Sequence, residues 1–277
     1  MSIKAFIKRY PVASYFVLAY LITWVGSFVA IGPKFLRGEE IQLTDGMVML
    51  LAMLAGPSIA GLTMTYIEDG RHGIRGLFSR MLLWRVSPRW YAAALLIAPG
   101  LILAVLLTLS ALVSPDFTPN FIPVIIVYGL LAGYFEEIGW TGYATPKMQL
   151  KNSPLATGIL LGLLWGAWHL VAGYLGGARN LGVYWLPNFL SLWIVGMTAT
   201  RVLMIWVYSN TGSGLLVQLM HASSTGFLLI FGPSPISPAN ETLWFAVYAA
   251  VLWVVVIVVV AAYGKDLVRH SAQAKAL

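Results

Sequence analysis

Four ionisable side chains stand inside apolar stretches that leave them little water: Glu136, Glu137, His169 and His221. Two carboxylates and two imidazoles suit acid–base chemistry. A glutamate whose proton affinity is raised by burial, and lowered again by a nearby cation, is tuned to take a proton from water near neutral pH. An ionisable group within a membrane span is costly, which makes each of the four a functional candidate. The glutamates are adjacent, and adjacent helical side chains diverge by about 100°. The pair is therefore expected to serve two partners, one carboxylate facing a cavity and the other a neighbouring helix. A proton or cation pathway is the alternative use of such a pair.

His169 lies in LLGLLWGAWHL, after Gly158, Gly162 and Gly166 at four-residue spacing. Small residues on one helix face let another helix approach closely, so this imidazole is expected in a helix–helix contact. His221 lies in QLMHASSTG, with Ser224 and Thr225 three and four residues on. A single buried histidine is ordinarily a hydrogen-bonded packing residue. The combination on three spans is the specific signal. Arg201 also falls within a span, where it either snorkels to the surface or neutralises a glutamate. The tryptophans read as interfacial or packing residues.

The elements that must hold these groups follow from composition. The 277 residues are 59% hydrophobic and 10% charged, with no cysteine and a net charge of +7. Soluble domains average roughly 45–50% apolar and about 25% charged residues. The chain is therefore read as an integral membrane protein. Disordered, coiled-coil and collagen-like classes are excluded. Disulfides, thiolate metal sites and a cysteine nucleophile are excluded as well. A span needs about 20 apolar residues, and eight segments fit: near 11–31, 46–67, 90–113, 121–140, 154–174, 186–208, 213–232 and 243–263. The expected fold is all-α, a polytopic single domain over 1–277 with its motif-bearing core at about 121–232. The first run is longer than the roughly 7–15 apolar residues of a secretory signal, so it reads as a retained span.

Thirteen basic residues sort to one face: Lys4, Lys8, Arg9, Arg71, Arg75, Arg80, Arg85, Arg89, Lys147, Lys151, Lys265, Arg269 and Lys275. Lys34, Arg37 and Arg179 sort to the other. The positive-inside rule then makes both termini cytoplasmic. The Arg-rich 68–89 loop, flanked by Trp84 and Trp90, reads as a headgroup-level segment, with no nucleic-acid partner. Depth does not close. Counted from those span ends, Glu136 and His221 lie about 6 and 12 Å deep and His169 about 22 Å. Either the fifth helix begins below the surface, or residues 142–153 dip inward.

At these residues the chain resembles the CPBP family, which contains the type II CAAX prenyl endopeptidases and bacteriocin-processing or self-immunity proteins. FEEIGWTGYATPKMQ resembles its EExxxR motif through Glu136 and Glu137. LLWGAWHL resembles FxxxH, with Trp165 in place of Phe and His169 matching. LMHASSTG resembles HxxxN or HxxxD through His221. Thr141 stands at the motif arginine, so that helix ion pair is missing, and Thr225 stands at the final Asn/Asp.

The resemblance implies a glutamate-type intramembrane endopeptidase that cuts membrane-associated peptide or lipidated protein tails from the cytoplasmic side and needs no cofactor. It assigns Glu136, aided by His169, to water activation, and His221 with Thr225 to the oxyanion. If Thr141 leaves Glu137 without a cation, Arg201 or Lys147 is expected to approach it. Zinc is the alternative cofactor, since imidazole and carboxylate suit it, but there is no HExxH helix. A non-catalytic immunity or scaffold protein, and a proton-coupled transporter, are the rival functions. The compact chain reads as a prokaryotic plasma-membrane protein.

Overall fold

The computed structural model describes residue 7 and residues 9–269; Lys4, Lys8 and Lys275 lie outside the described residues. It is all-helical, in agreement with the sequence reading: α1 Pro11–Arg37, α2 Leu43–Met81, α3 Pro88–Leu112, α4 Ile126–Gly139, α5 Thr145–Gln149, α6 Pro154–Trp168, α7 Leu170–Leu181, α8 Trp185–Phe189, α9 Met197–Thr211, α10 Gly214–Phe231 and α11 Pro238–Tyr263. Wide turns of π-helix, Trp140–Ala144 and Leu190–Gly196, join α4 to α5 and α8 to α9.

Starts and stops follow local chemistry. Ser153, Ser213 and Ser237 each accept a hydrogen bond from the backbone three residues on. Each thereby satisfies an otherwise orphaned N–H at a helix start. Proline follows two of those caps, at positions 154 and 238, where its missing N–H costs nothing. Gly38 and Gly212, both left-handed, end α1 and α9.

By length and hydropathy, seven helices of the described residues qualify as membrane spans. This is a polytopic membrane protein. The eighth expected span is hidden by a division of the chain: Pro154–Trp168 is short, and Leu170–Thr211 counts as one helix of 42 residues. Hydrogen bonding separates them differently. Tyr20 donates to the carbonyl of Leu164, Trp24 to that of Trp168 at 2.8 Å, and Arg179 to that of Phe35. Each pair is 144 residues apart in the chain, so 154–181 runs beside α1 and parallel to it for a full crossing. Residues 185–211 then return antiparallel. Gly158 packs on Val202, Gly162 on Thr198 and Gly166 on Trp193. Gly182, at φ 54°, makes the reversal.

The helices alternate between two faces. Residues 11, 81, 88, 149, 154, 211, 214 and 263 mark the basic face, and 37, 43, 112, 126, 181, 185, 231 and 238 the opposite one. Two expectations change. The 68–89 stretch is mostly helix: α2 bends at Gly70 (φ 59°) and runs on to Met81. Trp84 is exposed, but Trp90 is buried against Trp206, with ring centroids 4.9 Å apart. The depth conflict also resolves. The fourth span does not stop near 140 but continues through the π turn to Gln149 as one helix, Pro123–Gln149. Nine further residues put Glu136 thirteen positions, about 20 Å, from that end, level with His169. Among the ends on the basic side, Met81 and Gly214 sit deeper than Gln149, because both lie level with Gly142, seven residues before it.

Candidate active site

Close backbone approach assembles the site. A Cβ on Gly133 of α4 would lie 2.4 Å from the carbonyl oxygen of Gln218 in α10. Only glycine allows this contact, and it sets Glu137 beside His221. On α6, a Cβ at Gly166 would lie 2.0 Å from the carbonyl of Trp193. That approach stacks the His169 ring on Trp193, centroids 4.1 Å apart. The helix–helix contact expected from the glycine spacing is thus present. Both π turns flank the site. π turns recur at functional sites because the extra residue re-aims side chains.

The two glutamates part as the helical rotation requires. Glu137 is fully buried and meets Arg201, whose guanidinium donates from both terminal nitrogens, to Oε2 at 2.8 Å and Oε1 at 2.9 Å. The Thr141 hydroxyl donates to Oε2 at 2.5 Å, and His221 Nδ1–H to Oε1 at 2.8 Å. Arg201 also lies 4.2 Å over the Trp165 ring, where a desolvated cation is attracted by the π face. The cation missing at position 141 is therefore supplied from α9, and Arg201 neutralises rather than snorkels. Lys147 pairs with Glu68 instead.

Glu136 has no cation against it in the same manner. Its Oε2 accepts from two neutral indoles, Trp165 Nε1–H at 3.0 Å and Trp140 Nε1–H at 3.3 Å, and Oε1 takes neither bond. The carboxyl lines a cavity of about 700 Å³ together with His169, His221, Ser224 and Thr225. Ligand cavities commonly measure about 300–1,000 Å³. His169 Nδ1 lies 2.9 Å from the carbonyl of Trp165. A carbonyl only accepts, so Nδ1 carries the proton and Nε2 keeps its lone pair.

Of the sequence candidates, Glu136, His169, His221 and Thr225 share this cavity, while Glu137 sits behind it. The reading of tryptophan as packing missed two donors. Trp140 stands four residues after Glu136 and Trp165 four before His169, one helical turn in each case; that spacing was the available signal. Asn188 and Thr200 also line the cavity and carried no motif. Among the described residues no group of three or more His, Asp or Glu side chains is arranged to hold a metal ion.

The region that carries these residues is similar to known proteins. Residues 118–227 match the family model described as Type II CAAX prenyl endopeptidase Rce1-like. The chain is 24% identical over 227 residues to "CAAX prenyl protease 2" of Methanococcus maripaludis, covering 75% of this chain and 79% of that one. It is 26% identical over 148 residues to a "UPF0182 protein" of Rhodococcus erythropolis, covering 52% of this chain but only 14% of that protein. The resemblance drawn from the three motifs holds, and it brings similarity to a prenyl protease.

Proposed function

We propose that this chain, with its Rce1-like region, is an intramembrane glutamate-type endopeptidase acting on membrane-associated peptide or lipidated protein tails. The observation that carries the reading is the sharing of one cavity by Glu136, His169, His221 and Thr225. The Glu136 carboxylate takes a proton from water, and His169 Nε2 accepts a hydrogen bond from the water's other O–H, which stays on the attacking oxygen, and so orients it. The oxygen attacks the scissile carbonyl carbon, whose oxygen becomes the oxyanion. Protonated His221, with Nδ1–H committed to Glu137, donates Nε2–H to that oxyanion, and the Thr225 hydroxyl donates beside it. Collapse breaks the C–N bond, and Glu136 returns its proton to the leaving amine. With His221 protonated, two anions and two cations (Glu136, Glu137, Arg201, His221) balance in the protein interior.

The donor set fits zinc poorly. A catalytic zinc takes three protein ligands; Glu137 is already held by Thr141, Arg201 and His221, and among the described residues no three of the remaining His, Asp and Glu side chains converge closely enough to share an ion. We therefore read the reaction as metal-independent. A prokaryotic plasma membrane is the setting we assign. The non-catalytic immunity reading rests on Thr225 alone, because Arg201 makes good the other departure from the motifs.

The test is cleavage of a quenched fluorescent peptide ending in a farnesylated CAAX-type sequence, with its unprenylated counterpart alongside. Wild-type protein in detergent should release the tail tripeptide, and Glu136→Gln should not. Equal cleavage by both removes Glu136 from the reaction; no cleavage of either peptide by wild type favours the non-catalytic reading.

A further inference from the structure

The cavity opens on the face opposite the basic one. Its outer lining comes from helix ends there: Leu50, Tyr128, Gly177, Trp185, Ile236 and Glu241. Toward the basic face the site is closed. Trp140, Thr141, Leu161, Arg201, Leu216 and Val217, the layer beneath and beside the glutamates, are all 0% exposed. The cavity is thus open toward the opposite side and closed toward the basic one.

Charge gives those faces a membrane orientation. Among the described residues the basic face carries ten Lys and Arg against Glu68, Asp69 and Asp266. The face with the opening carries three cations against Glu39, Glu40, Asp45, Asp116 and Glu241. Two of its cations are already paired, Lys34 with Asp45 at 2.8 Å and Arg37 with Glu39 at 2.5 Å. Arg179 is spent on the carbonyls of Phe35 and Glu39. Lys and Arg accumulate on the cytoplasmic side of membrane proteins.

The geometry points to a site that takes its scissile segment from the extracytoplasmic side, contrary to the cytoplasmic access expected from the sequence. The occupant is a membrane-anchored peptide segment, apolar where it passes the aromatic lining and neutral or cationic where it passes Glu241. A strongly acidic segment is disfavoured at a mouth of net negative charge. This inference rests on the peptidase reading for what the cavity does, but its access side is measured independently.

The chain contains no cysteine, so a single introduced thiol reports one place. Ala132 lines the cavity one turn from Glu136, and Arg71 lies on the basic face. Each of Ala132→Cys and Arg71→Cys is exposed to a membrane-impermeant charged methanethiosulfonate in right-side-out and in inverted bacterial membrane vesicles. Ala132→Cys should react in right-side-out vesicles only, and Arg71→Cys in inverted ones only. The farnesylated and unprenylated quenched peptides should be cleaved only when added to right-side-out vesicles. Reaction of Ala132→Cys from the inverted side, alone or together with Arg71→Cys, overturns the inference. So does cleavage from the inverted side. Correct labelling with no cleavage from either side leaves the access route standing and defeats the peptidase reading.

Discussion

Glu136 and Glu137 are neighbours in sequence and opposites in surroundings. Glu137 faces a dry knot in which a guanidinium, a hydroxyl and an imidazole all donate to it. Glu136 faces an open cavity and receives only two neutral indole bonds on one oxygen. A single residue step, about 100° of helical phase, thus divides a carboxylate tied into the protein from one that faces the cavity. A buried ion pair adds little net stability compared with apolar packing, yet removing one partner strands a charge. An uncommitted carboxylate beside a cavity carries no such structural duty.

The largest effect should come from breaking the knot. Arg201→Met is expected to destabilise the fold by about 3–5 kcal/mol, because the buried Glu137 loses its two-pronged guanidinium partner and keeps only His221 and Thr141. Thermal unfolding in detergent measures this, and the double variant with Glu137→Gln should recover part of the loss. Next is the glycine contact that positions His169. Gly166→Ala drives a methyl into the Trp193 carbonyl and should cost about 1–3 kcal/mol, read in the same melts, with cleavage falling as the stack is displaced.

Two smaller changes probe the cavity side. Thr225→Asn restores the amide donor of the family motif and should raise kcat/KM several-fold without moving Tm. Unchanged or lower kcat/KM would place Thr225 outside the oxyanion contact. Trp165→Phe keeps most of the aromatic packing but deletes one donor to Glu136. It should lower stability by about 1 kcal/mol, the usual net worth of a hydrogen bond, and shift the pH profile of kcat/KM. A profile identical to wild type would mean that the indole bond does not tune Glu136.

The class and the site were legible because both depend on residue type against an apolar background. Ionisable groups are scarce enough that Glu136, Glu137, His169 and His221 stand out, and their helical phases follow from spacing alone. Helix ends were less legible. The segment WTGYATPKMQ falls in hydropathy and reads as a span's end. Thr141, Tyr143 and Thr145 are buried against protein, where polar groups find partners: Thr145 bonds the Trp140 carbonyl at 2.9 Å. The break after Trp168 and the reversal at Gly182 are hidden in the same way, since lipid-facing hydropathy does not record which helix a residue touches. Glu137 could be expected to draw a cation, but the choice between Arg201 and Lys147 stayed open, because the partner lies 64 positions away. The direction in which the cavity opens is a property of eight helix ends together and has no local signature.

The central claim is that Glu136 reacts while Glu137 builds. It is tested most directly by the cleavage rate of Glu136→Gln purified in folded form. A Tm matching wild type with cleavage reduced by roughly 10²-fold or more, the usual scale of a lost general base, is the predicted result. Wild-type cleavage by that folded protein would contradict the account.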